Sequence, residues 1–452
     1  MTAKLHRGDL SYASLRCVLS HFEANFRLQL VAQLPQIRAA DKAVPLKIEA
    51  LMFSNAELCL NDTKYRLGII CKSREGKTPW TIENDNKRGG LQHELNIFGL
   101  QDSDLEMATT PGDIALTKEI QTHRRTIEEI QVMRDMEERV LRQELERRAA
   151  LDEGREPVIF EDVPADLGDL LAEMGVFPAR EEPEDPVEQR RLIEIKIRNT
   201  EIKLEYCQLT LDGLIRERDN VPSPFDMYIQ NLAAAQKYLI TKILGNRSAA
   251  PNINYLSFWP KPYAQMVLRL PEGLKLRSKE FSLSGIFSET WERVRPILED
   301  VNNCPYNSLE IGNLDLKDCV HPIVQNAKVL YINAHADMSR EADHTPTLRA
   351  ITNKKFVANS GGAQVHYGAL IDHWKDVNRE IGTCFKFYLQ DEEHAQEALR
   401  MVRESHDVEG ERLLKIQLSD STQLNFSYEA VTEHDETGHP WVLKMEVVPL
   451  IY

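Results

Sequence analysis

A chain of 452 residues is too long for one compact core and implies two or three packing units, and a hydrophobic content of 42% excludes a disordered chain. The formal net charge of −16 argues against a general nucleic-acid binder, which needs surplus Lys and Arg to neutralise phosphates, and against docking on an anionic membrane. A basic protein client, or simple solubility, fits that charge better.

The opening Met1-Thr2-Ala3-Lys4-Leu5-His6-Arg7 leads into no long apolar run, and no later stretch is apolar enough to span a bilayer. The seven cysteines (Cys17, Cys59, Cys71, Cys207, Cys304, Cys319 and Cys384) contain no CxxC pair and read as reduced core thiols, so the expected location is cytoplasmic or nuclear. Cys17 and Cys384 stand in apolar contexts, where a thiol is expected to pack and stay inert.

The first region, 1–44, is a small helical module. Leu10, Leu15, Val18, Leu19, Phe22, Phe26, Leu30 and Leu34 recur at mostly helical spacing; Asp9 or Ser11 can cap the first helix, and Pro35 breaks the pattern. Too small to fold alone, the module needs a partner or the rest of the chain to cover its apolar faces.

Residues 45–115 change to strand-like alternation, with candidate strands at 46–51 and 65–70, and are expected to pack on the following repeats. Lys87-Arg88-Gly89-Gly90 and Thr110-Pro111-Gly112-Asp113 read as loops; the Gly-Gly pair lacks the strand-to-helix context of a nucleotide loop.

Residues 116–219 form a charged helical hairpin insertion. Ile127, Ile130, Met133 and Met136 on one arm, and Ile195, Ile202, Leu209 and Leu214 on the other, are narrow apolar stripes among dense Arg and Glu, which predicts an antiparallel pair of coiled-coil character. The acidic, Pro-rich stretch 152–188 between them is expected to be a flexible tip. Such an arm either touches a partner or is a solvated spacer.

From 220 to 410 short apolar strands recur every 20–30 residues, at 254–258, 280–283, 308–311, 329–332, 355–358 and 384–388, with helical stretches such as 289–298 and 367–374 between them. That period is the mark of an irregular leucine-rich-repeat-like α/β solenoid, in which stacked neighbours complete each unit's core. Residues 411–452 return to period-two alternation and read as antiparallel strands closing the solenoid. The expected fold class is therefore α/β.

No nucleophile elbow, Walker loop, dinucleotide fingerprint or kinase signature is present, so no catalytic residue and no cofactor is assigned, and the chain is not expected to be an enzyme. The nearest approach to a metal set, His335, Asp337, Asp343 and His344, matches no ligand spacing and reads as a polar loop.

Several segments resemble the nematode F-box C family. They are Leu10-Ser11-Tyr12-Ala13-Ser14-Leu15-Arg16-Cys17-Val18-Leu19 with Glu23-Ala24-Asn25-Phe26-Arg27, then Lys42-Ala43-Val44-Pro45-Leu46-Lys47-Ile48 and Asn61-Asp62-Thr63-Lys64-Tyr65-Arg66-Leu67-Gly68. Gly89-Gly90-Leu91-Gln92-His93-Glu94-Leu95, Thr110-Pro111-Gly112-Asp113, Pro224-Phe225-Asp226-Met227-Tyr228 and Lys237-Tyr238-Leu239 through Arg247-Ser248 are similar too. The resemblance implies a degenerate F-box at 9–40 that docks on a Skp1-type adaptor, and through it a cullin, using Leu10, Ser11, Leu15, Val18, Leu19 and Phe22. Ser11 stands where the general F-box has proline, and the tryptophan expected late in the module is absent.

The expected function is the client receptor of an SCF-type ubiquitin ligase. A protein client would lie on the repeat surface, with Tyr331, Lys354, Phe356 and Lys386 as contacts. The alternative is a scaffold with no ligase link that self-associates through the arm.

Overall fold

The computed structural model describes residues 11–54, 57–116, 125–158, 185–227, 231–259, 266–299, 305–313, 315–332, 343–359, 365–431 and 439–450. They fall into two compact units: Met1–Arg66, Thr109–Ile120 and Gln236–Tyr452 form the first, and Leu67–Ala108 with Gln121–Ala235 form the second. The segment 45–115 is thus divided between the units.

In chain order the described elements are α1 (Tyr12–Leu19), α2 (Ala24–Gln33), α3 (Arg38–Lys42), β1 (Lys47–Ser54), β2 (Glu57–Leu60), β3 (Thr63–Arg66), β4 (Cys71–Ser73), α4 (Trp80–Lys87), α5 (Ser103–Met107) and β5 (Ile114–Ala115). The long helices α6 (Ile127–Glu153) and α7 (Pro186–Asp219) follow, then β6 (Phe225–Met227), α8 (Leu232–Ile243), β7 (Asn252–Phe258), β8 (Val267–Leu268), β9 (Arg277–Ile286) and α9 (Phe287–Val294). Strands and short helices then alternate as β10 (Ser308–Asn313), α10 (Pro322–Asn326), β11 (Val329–Ile332), α11 (Thr345–Ala350), β12 (Lys355–Asn359), α12 (Tyr367–Asp376), β13 (Cys384–Leu389) and α13 (Glu392–His406). The chain closes with β14 (Leu413–Gln417), β15 (Thr422–Ala430) and β16 (Trp441–Pro449).

The first unit is built on a twelve-stranded, mostly parallel sheet in the order β14-β15-β16-β13-β12-β11-β10-β9-β7-β1-β2-β3. From β1 through β7, β9, β10, β11 and β12 to β13 every neighbour is parallel; the pairs at the two ends are antiparallel. Its parallel strands share a buried three-then-two spacing: Ile48, Leu51, Phe53; Ile253, Leu256, Phe258; Tyr306, Leu309, Ile311; Ala327, Leu330, Ile332; and Asn353, Phe356, Ala358. The last two residues of each triplet lie on one face at the period of a strand.

Register stacks these positions into continuous rows. Leu256, Phe281, Leu309, Leu330, Phe356, Phe385 and Met445 are direct neighbours across seven strands. Helices pack on this face: Trp291 of α9 meets Phe281 edge-on, and Trp374 of α12 meets Phe385. Asn353, 3% exposed, donates through Nδ2 to the carbonyls of Val324 (2.8 Å) and Ala327 (2.9 Å), tying one strand–helix unit to the one before it.

The N-terminal helices join the same core. Ser11 caps α1 by accepting from the Ser14 amide, and Leu19 and Ala24 are fully buried. Arg27 of α2, 1% exposed, donates Nε to Asp41 Oδ1 (2.9 Å) and its terminal nitrogens to the carbonyls of Asp41, Val44 and Pro45. Arg247 reaches the other oxygen of Asp41 at 3.1 Å, so one buried carboxylate lies between two guanidinium groups. A charge cluster this dry persists only because nearly every donor finds an acceptor.

A second clamp holds the loop before β5. Asp113 accepts from Lys237 Nζ (2.9 Å), Arg269 Nη1 (3.3 Å), the amides of Thr110 and Leu270, and the Thr110 hydroxyl. Gly112 has φ +95°, and a Cβ there would sit 2.6 Å from the Glu272 nitrogen, so the loop requires glycine.

In the second unit α6 and α7 run antiparallel, since Lys203 pairs with Glu137, Lys196 with Glu144 and Arg190 with Asp152. Thr126 and Glu129 form a capping box at the start of α6, and Gly154 ends it in the left-handed conformation. Pro186 opens α7 behind the Asp185 cap. The shared core is small: Ile130, Cys207 and Leu211, with Met133 and Leu214 at its edge. A second cluster, Ile69, Cys71, Ile82 and Leu232, holds the strand pair β4–β6 and α4. Most of the expected flexible tip, 159–184, lies outside the described residues.

Candidate functional site

Parallel sheets are ordinarily covered on both sides, and their strands then read as unbroken apolar runs. Here polar side chains interrupt several runs: Glu310 stands between Leu309 and Ile311, Tyr331 between Leu330 and Ile332, and Lys386 between Phe385 and Phe387. The second face of the sheet is therefore the candidate surface. One of its rows runs Ser257, Ser282, Glu310, Tyr331, Val357, Lys386 and Lys444; the next runs Tyr255, Glu280, Ser308, Val329, Lys355, Cys384 and Glu446.

The two ends of this face differ in chemistry. Around β7 to β10 it is acidic and rich in hydroxyls. The Tyr255 hydroxyl donates to Glu310 Oε2 at 2.9 Å, and burial, followed by that carboxylate, pushes the phenol up to about 12. Ser257 and Ser282 are buried beside it. Around β12 to β16 the face is basic, carrying Lys355, Lys386 and Lys444, with Lys415 further along on β14. Burial pushes the Cys384 thiol up even though these lysines draw it down, so at neutral pH it is a protonated thiol and not a nucleophile.

The four expected client contacts separate. Tyr331 is 39% exposed and Lys386 half-buried, and both lie on the open face. Lys354 is exposed in the turn before β12, in an ion pair with Glu380 at 2.5 Å. Phe356 is corrected: it is 1% exposed and packs on Phe385, because it shares strand parity with the core row through Leu330. Register and strand parity place Lys355, Lys415 and Lys444, which are not among the expected contacts, on the same face as Lys386.

The expected adaptor contacts separate in the same way. Leu10 lies outside the described residues; Ser11 serves as the cap; Leu15 and Phe22 are half-buried and Val18 is 36% exposed. Leu19 is corrected: it is fully buried in the module and cannot meet a partner in this fold. Helix α2 buries Ala24, Arg27 and Val31 and turns Phe26 (48% exposed), Leu30 and Leu34 outward, with Phe22 edge-on to Phe26 at 5.0 Å. Only burial distinguishes the two apolar faces of this helix. Cys17 is also corrected, being exposed on α1, which turns Leu19 inward.

Of the expected metal-like set, His335 and Asp337 lie outside the described residues, while Asp343 accepts from the Thr345 amide at the start of α11. Among the described residues no group of His, Cys, Asp and Glu is arranged to hold a metal. No described helix is long and apolar enough to cross a membrane.

The second unit has an open cleft of about 1070 Å³ lined by Ile82, Leu91, His93, Met133, Tyr206 and Cys207 among others. Burial draws His93 below the usual imidazole range. Burial, then a 2.6 Å hydrogen bond to Asp85, pushes Tyr206 up to about 12. The Cys71 thiol on its wall is pushed up to about 11 by burial.

The fold defines a mixed α/β protein with a large, mostly parallel sheet, and α9 and α12 pack on its apolar face. Within it, residues 231–391 match a family model described as a domain of unknown function, DUF3557. The match runs from the start of α8 to just past β13 and takes in the parallel strands β7 and β9 to β13, leaving out the antiparallel strands that follow. No curated protein and no solved structure matches the chain.

Proposed function

We propose that this protein is a client-binding receptor of an SCF-type ubiquitin ligase, presenting a protein client on the open face of its sheet and a Skp1-type adaptor on its N-terminal helices. The observation that carries the reading is a parallel sheet whose second face carries polar side chains, half-buried or exposed at Glu310, Tyr331, Lys355, Lys386 and Lys444. That is the arrangement of leucine-rich-repeat-like solenoids, whose strand face holds large protein partners. The proposed adaptor face is the apolar stripe of exposed Val18, Phe26 and Leu34 with half-buried Phe22 and Leu30, a helix-in-partner mode of recognition. The resemblance of 9–40 to a degenerate F-box supports this assignment, and the burial of Leu19 moves it to the outer face of the module.

The test is copurification of the full chain with a Skp1-type adaptor. Replacing Phe26 and Leu30 with Ala should abolish it, since paired apolar anchors at a small interface each contribute about 2 kcal/mol or more. Phe26 is exposed and Leu30 only half-buried, and neither belongs to the buried core, so the circular dichroism of the variant should match the parent. Adaptor binding that survives the double change would remove the ligase assignment.

A second reading, self-association without a ligase, is favoured by one feature of the hairpin. Val132 and Met136 on α6, and Leu192 and Ile195 on α7, are each more than 40% exposed. Light scattering decides it: a dimer that becomes monomeric on Val132→Asp would support the scaffold.

A further inference from the structure

We infer that the open face between β12 and β14 is built to hold an acidic segment of the client, the reverse of what the chain's net charge implies. The inference rests on the receptor reading above and names the chemistry of the client.

The argument begins with register. In the antiparallel pair β13–β16, Lys386 lies directly opposite Lys444. Like charges at directly opposed positions destabilise a sheet, so a face shaped by folding alone would carry a carboxylate at one of them. Lys355 stands opposite Cys384, which is opposite Glu446 and then Asn425, and Asn425 is opposite Lys415. Four lysines thus share this part of the face with two acids, Glu446 and Glu429. Glu446 is taken up by Lys444 at 2.6 Å. Among the described residues Lys355, Lys386 and Lys415 form no ion pair within the same distance limits. All this occurs in a chain of net charge −16, where a local surplus of cations is against the trend.

The patch has the dimensions of a peptide site. From β12 across β13, β16 and β15 to β14 are four strand spacings, roughly 19 Å, the length of about six extended residues. Tyr331 and Val357 border it on the β11 side and offer apolar contact. A phosphate backbone or anionic bilayer fits less well. Four lysines neutralise few phosphates, and the remaining negative field repels a long polyanion.

The experiment uses the full chain and a fluorescein-labelled octaglutamate peptide, read by anisotropy at low and moderate salt. The parent should bind and weaken steeply as salt rises. Lys386→Glu should reduce binding at least tenfold while raising thermal stability, because it sets a carboxylate opposite Lys444; loss through misfolding would lower stability instead. Lys386→Arg should bind like the parent, and Lys354→Glu, outside the face, should change affinity less than twofold. Unchanged binding by Lys386→Glu would overturn the inference. So would tighter binding of single-stranded DNA or phosphatidylserine vesicles that the same variant abolishes. Adaptor copurification is measured on the same samples: its loss in the parent counts against the ligase assignment, and the peptide result alone decides the acidic-segment inference.

Discussion

The two units of this protein bury apolar side chains in different ways. In the sheet unit the buried rows pass without interruption from strand to strand, and Phe281 alone stacks or sits edge-on with Phe258, Trp291 and Tyr306 at 5.4–5.8 Å. In the hairpin, the apolar cluster between two helices of 27 and 34 residues is only Ile130, Cys207 and Leu211 with its half-buried edge, and the pairs Arg190–Asp152 and Lys203–Glu137 are exposed or half-exposed. Continuous burial makes strands depend on one another, as in other stacked architectures. Exposed ion pairs contribute about 0–1 kcal/mol each and cannot substitute for a core.

The comparison is broken most directly at its strong end. Phe281→Ala should cost about 3–5 kcal/mol, the range for truncating a buried aromatic, and should lower the urea midpoint of the sheet's transition. Helical signal from the hairpin should persist at urea concentrations where the variant sheet has unfolded. A single transition shared by both signals would mean that the units fold as one.

A smaller effect is expected from Leu211→Ala in the hairpin core. The loss should be about 2 kcal/mol, the low end for Leu→Ala, because a narrow interface relaxes around the deletion. Hydrogen exchange should quicken across 127–153 and 186–219 and stay unchanged in β9 to β13. Faster exchange in those strands would show the two regions to be coupled.

A third effect depends on pH: the charge of Asp113 is expected to contribute fully at neutral pH and to fade in acid. Burial alone would raise its carboxyl, but hydrogen bonds from Thr110 and Lys237 and the Lys237 charge outweigh it, leaving it below the ordinary carboxylate range. A carboxyl depressed in the folded state stabilises above its unfolded value near 3.8 and loses that contribution as pH falls through the folded value. The parent's melting temperature should therefore drop more steeply below about pH 4 than that of Asp113→Asn. Parallel pH profiles for the two would show that the clamp contributes nothing through its charge.

The segments carrying the family resemblance turn out to be largely architectural. Arg27, Asp41 and Arg247 meet in one buried cluster, Asp113 and Lys237 in another, and Gly90 lies so close to Gly68 that a Cβ there would fall 2.7 Å from its carbonyl carbon. Such positions specify how the chain closes on itself and are silent about the client.

Local alternation determined a good deal by itself. The strands expected at 254–258, 280–283, 308–311, 329–332, 355–358 and 384–388 all fall within β7 and β9 to β13, and the last three strands follow the period-two pattern after 410. Backbone periodicity is a short-range property and is written residue by residue. Tertiary structure decided what those strands meet. Strand β1 lies parallel to β7 although some 200 residues separate them, and 67–108 leaves the sheet for the second unit. Leu19 and Phe26 look alike in sequence, yet one is fully buried and the other 48% exposed. Phe356 and Lys386 were equal candidates until register set one in the core row and the other across from Lys444. Alternation tells which side chains share a face, but which face finds cover depends on contacts made far along the chain.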